Sequence, residues 1–247
     1  MTTGKDITRP PRAQIEALRA LGAATVAGTL GHMGIRNPHM QGPVSWLKGR
    51  TMAGPALTLL FLPKRGDLYD DAEYSDPEKQ LHRHVLYHTQ PGDVVVVDAR
   101  GDMTAGIFGE MMMTYFKGRG GAGIVIDGCI RDYPGQIELD MPMWIRGLTP
   151  NFHTQTGLMP FDFNCPIACG GVTVIPGDII VADDDGAVVV PAALAAEVIA
   201  KGSAHHEWEE FSKIRLLEGG ALQRYYPLHD DARDEYAQWR AQNPAKR

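Results

Sequence analysis

The sequence predicts one α/β domain: a mixed, partly parallel sheet flanked by helices. Three observations predict it. Residues 90–101 (QPGDVVVVDARG) hold a β-branched apolar run between turn signals, the pattern of a strand covered on both faces. Residues 108–118 (FGEMMMTYFKG) then read as a helix starting near Gly109 and ending near Gly118, and residues 122–128 (AGIVIDG) as a second buried strand. Strand, helix and strand at this spacing form a βαβ unit. Finally, residues 175–186 (IPGDIIVADDDG) repeat the first signature 85 positions on: Pro-Gly-Asp, a mostly β-branched run, an Asp, then a Gly. Each copy reads as a turn, a buried strand that ends at the Asp, and an exit loop; the repeat is too short for a solenoid and reads as two similar strands in one domain.

The other elements follow in order. Residues 1–12 form a polar arm ending in Pro10-Pro11. In residues 13–31, Ile15, Leu18, Leu21 and Val26 share a helical stripe, while Gly22 and the Gly28/Gly31 pair favour two short helices over one long one. Residues 34–43 (GIRNPHMQGP) are turn-rich and read as a loop. Residues 52–62 (MAGPALTLLFL) read as a buried strand interrupted by a Gly54-Pro55 turn. Residues 64–80 are a polar, acidic surface loop, long enough to suspect function or mobility. Residues 81–89 suit a short helix, and 143–147 (MWIRG) a short strand. Residues 186–190 continue the second repeat. Pro191 then opens a helix over 192–217, which Gly219-Gly220 stops. The tail, 221–247, carries Tyr225, Tyr226, Tyr236 and Trp239. These rings are expected to pack on the body or on another subunit. The chain thus divides into an α/β domain over 1–204, with its N-terminal helical segment, and a helical, aromatic extension over 205–247.

Composition narrows the function classes. The chain has 247 residues, 44% apolar and 22% charged, enough for a sizeable core. Its net charge is −6 with no long basic block, which excludes a nucleic-acid groove as an expectation. Three cysteines make no disulfide framework. Cys165 and Cys169, with only Cys129 beyond them, are too few for a structural zinc site and read as small residues in a reducing compartment. The N-terminus has no signal-peptide run, and no stretch approaches the roughly 20 apolar residues of a membrane span. The expectation is a cytoplasmic protein without a membrane partner.

The chemistry concentrates in residues 98–132. The helix N-terminus at Gly109–Met112 offers free N–H groups and a favourable dipole to an anion. Arg131, just past a buried strand, is a fork-shaped donor for a planar carboxylate, and Asp132 follows it. Both places belong at the carboxyl edge of a parallel sheet, where ligands bind. Each also has a plainer reading: a turn glycine, a surface ion pair, and in Glu110 an acid in a first helical turn. His82, His84 and His88 match no recognised metal motif. They read as a polar helix face, with one of them reaching the site as a substrate clamp or proton donor as the sharper alternative. His205-His206 reads as surface, Met111–Met113 as core, and Asp183–Asp185 as a tight turn rather than a calcium loop.

Taken together, PGDVVVVDARGD…GE…GAGIVIDGCIRD, PMWIRGLTP and GGVTVIPGDIIVADDDGAVVVP resemble the RraA-like family. That family holds the 4-hydroxy-4-methyl-2-oxoglutarate aldolases and the RraA regulators of ribonuclease activity. The resemblance is collinear over roughly residues 13–200. It implies a swivelling β/β/α architecture and a homotrimer or hexamer. It places the family's Gly-x-x-Leu carboxylate turn at Gly109, Glu110, Met111 and Met112, with Met for Leu. It matches the family's Arg-Asp pair to Arg131, which binds the 2-oxo acid, and Asp132, which holds a divalent cation, Mg2+ or Mn2+. The lyases of the family carry an acid 21 positions before the Arg, where Glu110 stands, and the regulators tend to lack it. Glu110 would orient water on the metal, and Asp102 is a candidate to reach the metal indirectly. Two departures stand out. Gly135 replaces an acid common three residues after the metal Asp, which bears on the outer metal shell or on specificity, and the tail exceeds that of the shorter members.

The function implied is a divalent-metal-dependent lyase that cleaves a 4-hydroxy-2-oxo acid to pyruvate through a stabilised enolate. Oxaloacetate decarboxylation could use the same site. The lysines sit mostly in polar segments, which disfavours a Schiff-base aldolase. The alternatives are a non-catalytic ribonuclease regulator and a catabolic enzyme with different chemistry on the same scaffold.

Overall fold

The computed structural model describes residues 6–69 and 76–243. Residues 1–5 of the polar arm, 70–75 of the long loop and 244–247 of the tail lie outside them. The strands are β1 (Val44–Ser45), β2 (Met52–Pro63), β3 (Val94–Gly106), β4 (Gly123–Ile130), β5 (Met143–Leu148), β6 (Leu158–Phe163), β7 (Ile167–Cys169), β8 (Val172–Val174), β9 (Ile179–Asp183) and β10 (Gly186–Val190). The helices are α1 (Arg12–His32), α2 (Leu81–Tyr87), α3 (Glu110–Gly118), α4 (Tyr133–Glu138), α5 (Ala195–Leu217), α6 (Leu222–Tyr225) and α7 (Arg233–Gln242).

The sheet runs β1-β5-β4-β3-β2-β9-β10, with β6 also on β2. Strands β2, β3, β4 and β5 pair in parallel, and β1, β6, β9 and β10 join antiparallel. The chain thus adopts the mixed, partly parallel α/β fold that the sequence predicts. The parallel strands are buried because helices cover them. Val94–Val97 and Ile124–Ile126 are fully buried, with α2 and α3 on one face and the β7–β8 hairpin with Trp144 on the other. α1 and α5 pack on each other and on β9 and β10.

The repeated Pro-Gly-Asp turns have one physical basis. Asp93 accepts a hydrogen bond from the Gln90 N–H (2.8 Å), and Asp178 accepts one from the Ile175 N–H (2.9 Å). Each turn launches a buried strand, but β3 joins parallel neighbours and β9 antiparallel ones. Asp98 and Asp127, buried past the regular stretches of β3 and β4, accept from the N–H groups of Ala168 and Gly170 and tie down the β7–β8 hairpin.

Two local expectations are corrected, and a third holds in part. β2 passes through Gly54 and Pro55 without a turn. A β-carbon at 54 would fall on the Gly92 carbonyl, so this glycine serves a close approach of two backbones. β3 does not exit at Asp98. It continues to Gly106 with its ladder broken between Val97 and Asp102, where Arg100 and Gly101 adopt positive φ. In α1 the expected division into two helices falls at Gly22 (φ 78°), where the two meet at a kink, while Gly28 and Gly31 do not interrupt the second. The acidic run explains the break: Asp183 Oδ2 accepts from the Ala23 N–H at 2.7 Å and caps the second half of α1.

Cys129 and Cys169 are buried, and Cys165 is half-buried. α5 runs unbroken through position 204. Beyond it, Phe211 packs against the rings of Tyr225, Tyr236 and Trp239 at 5.6–6.0 Å, while Tyr226 stays exposed. Phe211→Leu should cost about 1–2 kcal/mol in urea unfolding, by loosening this cluster.

Candidate active site

Two chain reversals at the carboxyl edge of the sheet build the site. β3 ends at Gly106 and leads through Gly109 into α3; β4 ends at Ile130 and leads through Arg131 and Asp132 into α4. The reversals lie side by side. The Arg131 N–H donates to the Phe108 carbonyl at 3.1 Å, and the Ile107 N–H donates to the Cys129 carbonyl at 2.9 Å. Gln136 locks them together. It is fully buried, and its Nε2 donates to the carbonyls of Phe108 (3.1 Å) and Arg131 (2.7 Å). Its position in a six-residue helix gave no sign of this in the sequence.

Glycine makes the proximity feasible. A β-carbon at 106 would sit 2.6 Å from the Asn151 carbonyl oxygen and 2.9 Å from Arg131 Cβ. One at 109 would sit 2.5 Å from Asp132 Oδ2 and 3.0 Å from Arg131 Nε. Gly109 is extended (φ −103°), so the demand is for space rather than for unusual dihedrals. Asp132 is the strained residue, left-handed at φ 59°. Its carboxylate caps nothing in its own helix and turns toward α3. There Oδ2 accepts from the Glu110 N–H at 3.4 Å and lies 3.7 Å from Arg131 Nε. Arg131 and Asp132 are 38% and 42% exposed. Glu110 reaches across to α4, where a β-carbon at 135 would fall on its Oε2. Gly135 therefore leaves room for the Glu110 carboxylate.

A cavity of about 450 Å³ opens here, lined by Arg131, Gly109, Met111, Met112, His82 and His153 among others. Of the sequence candidates, Gly109, Met111, Met112 and Arg131 line it, and so does His82, which is buried rather than on a polar helix face. Glu110 and Asp132 do not, but they adjoin it through Gly109 and Arg131. Arg131 lies over the Phe152 ring at 5.8 Å. The methionine run is only partly core: Met113 is fully buried, Met112 half-buried, and Met111 is 75% exposed at the rim. Asp102 serves its own turn, accepting from Thr104 and Ala105 at 2.7–2.8 Å. His84 contacts the Glu78 carbonyl (2.6 Å), and His88 lies near Asp6. His205 and His206 pair with Glu209 and Glu210 on the surface.

Sequence reasoning missed His153. It sits in a 3-10 turn (His153–Gln155), with its ring centroid 4.2 Å from that of His82. Burial, with the charges of Lys64 and Arg131, lowers the His153 pKa to about 4. Burial, with His153, Arg83 and His84, lowers that of His82 well below its usual value. Both are lowered, so the unfolded chain binds more protons than the folded one below about pH 6.5. For His153, stability is full above that pH and is lost as pH falls toward about 4, at about 1.4 kcal/mol per pH unit, and His82 adds a loss in the same direction. Urea titrations between pH 7 and 4.5 should show this slope, and His153→Phe should reduce it by about one proton.

Among the described residues, no group of three or more His, Cys, Asp or Glu side chains is placed to hold a metal ion, and no helix is long and apolar enough to cross a membrane.

The family model described as "RraA-like: Aldolase/RraA" matches residues 23–189. A Halalkalibacterium halodurans protein named "Putative 4-hydroxy-4-methyl-2-oxoglutarate aldolase" is 42% identical over 116 residues, 47% of this chain and 54% of that protein. Protein DlpA of Legionella pneumophila is 28% identical over 192 residues, 76% of this chain and 28% of its own length. The matches thus span about half of the first relative and under a third of the second. The crystal structure of Streptomyces coelicolor RraAS2, described as an unusual member of the RNase ES inhibitor RraA protein family, superposes with a TM-score of 0.76. It is 43% identical, covering 84% of this chain and 99% of that one. With the family model matching well over half of its length, the chain belongs to the RraA-like (aldolase/RraA) family.

Proposed function

We propose that this chain is a divalent-metal-dependent carbon–carbon lyase that cleaves a 4-hydroxy-2-oxo acid and releases pyruvate, with oxaloacetate decarboxylation by the same site. The observation that carries the reading is the convergence on one cavity of Arg131, the amides opening α3 and, beside them, the Asp132 carboxylate. The aldolase name of the 42%-identical relative supports it.

The donor set fits a hard cation. Asp132 and Glu110 supply exposed carboxylates at the adjoining starts of α4 and α3, and few protein ligands with open solvent suit Mg2+ or Mn2+. Such a cation, held by Asp132 with Glu110 beside it, would supply Lewis-acid stabilisation of charge on the 2-oxo group. The N–H groups at the start of α3 have no helical partner and take the substrate carboxylate. Arg131 binds the pyruvate portion with a planar fork, holding positive charge where the ketone oxygen becomes negative. In the cleavage the 4-hydroxyl gives up its proton, the C3–C4 bond breaks, and its electron pair passes into the 2-oxo unit. Protonation at C3 then gives pyruvate. Glu110, at the edge of the cavity, would hold or relay a proton. A homotrimer or hexamer would cover the open side of the cavity, a proposal that light scattering of the purified protein tests.

The test is pyruvate release, coupled to lactate dehydrogenase, from 4-hydroxy-4-methyl-2-oxoglutarate and from oxaloacetate. Release with Mg2+ or Mn2+ that stops in excess chelator is the expected result. A second reading, a protein-binding regulator of ribonuclease, is favoured by the 43%-identical RraAS2 structure. It predicts no pyruvate from folded protein, together with inhibition of a purified RNase E-type enzyme.

A further inference from the structure

The cavity is positive in a chain that is negative overall. Among the described residues its lining holds two arginines, Arg131 and Arg83, and no Asp or Glu, whereas the chain carries a net charge of −6. Its two histidines are uncharged at neutral pH, because burial holds their pKa values down. A cleft lined by one sign of charge concentrates ligands of the other. The mechanism above uses Arg131 and leaves Arg83 without a role. Arg83 belongs to α2 and is half-buried. Its Nε is enclosed, but its two Nη groups are not, and a ligand meets those. Among the described residues no carboxylate pairs with it. Glu78 accepts instead from the Tyr87 hydroxyl, at 3.0 Å.

The two guanidinium groups act at two places in the cavity. The charge of Arg131 bears on His153 and that of Arg83 on His82, and the two imidazole rings are 4.2 Å apart between centroids. The cations thus flank a neutral pair of rings rather than crowding one spot. Arg83, Met111 and Met112 also line an adjoining hollow of about 310 Å³, so Arg83 stands where the two spaces meet. An acid with one carboxylate engages one guanidinium. A molecule with a carboxylate at each end engages both, each through a planar fork.

We propose that Arg83 binds a second carboxylate, at the end of the substrate remote from the 2-oxo group, and so makes the protein select dicarboxylic over monocarboxylic 4-hydroxy-2-oxo acids. The proposal rests on the lyase reading for its reaction, and the test separates the two. The quantity read is the ratio of kcat/KM for 4-hydroxy-4-methyl-2-oxoglutarate to kcat/KM for 4-hydroxy-4-methyl-2-oxopentanoate. The second acid carries a methyl group where the first carries its remote carboxylate, and both release pyruvate on cleavage. Arg83→Gln and Arg83→Met should each lower this ratio by about tenfold to a hundredfold, the range for a lost charge-assisted bond. Arg83→Lys, which keeps the charge but not the fork, should lower it less. Circular dichroism checks that each variant is folded, and either neutral variant, folded, suffices. An unchanged ratio, with both substrates slowed alike or not at all, overturns the assignment. If the wild-type protein releases no pyruvate from either acid, the lyase reading falls and calorimetry with magnesium present decides the subsite instead. Tighter binding of 2-oxoglutarate than of 2-oxopentanoate, lost in Arg83→Gln, sustains it. Equal binding, or none, overturns it.

Discussion

Arg131→Ala is expected to lower kcat/KM for cleavage of a 4-hydroxy-2-oxo acid by about 10²–10³-fold, while thermal unfolding changes little. The side chain is 38% exposed and lines the cavity, so its removal leaves no packed void. The backbone that carries it keeps its bonds to Phe108 and Gln136. What the proposed mechanism then loses is a fixed positive charge next to the oxygen that becomes negative. Arg131→Lys should recover only part of the loss, because an ammonium lacks the planar fork that matches a carboxylate. Steady-state kinetics by pyruvate release and a melting curve check both halves.

Gly109→Ala is expected to cost about 100-fold in the same assay with the fold intact. The extended backbone at 109 accepts alanine without strain. The added methyl meets Asp132 Oδ2 and Arg131 Nε instead, at 2.5 and 3.0 Å. Both side chains are partly exposed and can swing away, so the protein absorbs the methyl by displacing the groups proposed to act. A displacement of about 1 Å is enough for a loss of this size. A fall in melting temperature of more than about 8 °C, corresponding to several kcal/mol at this chain length, would point instead to a structural role for the glycine.

The parts of the fold legible in sequence were those whose signal is local. Val94–Val97 and Ile124–Ile126 announce themselves as strands because an unbroken apolar run suits a strand with both faces covered, and the Pro-Gly-Asp turns mark where two such strands start. Gly54-Pro55 misleads for the same reason. The pair carries turn chemistry, yet Gly54 is there because the Gly92 backbone passes too close for a side chain, a fact of the tertiary structure. Arg131 and Gly109 were legible through helix-start and strand-end logic together with the family resemblance. Gly135 was visible as a departure, but its effect needed geometry, since the Glu110 carboxylate occupies the space beside it. His153 carries no periodic or motif signal. It becomes a candidate only when the fold sets it against His82 in a shared cavity.

The most direct test of the central claim is pyruvate release by the wild-type protein and by Asp132→Ala, side by side, with magnesium and then with excess chelator. The account predicts release that magnesium supports in the wild type, that chelator abolishes, and that Asp132→Ala lacks while remaining folded. Chelator-insensitive release, or full activity in Asp132→Ala, would contradict it.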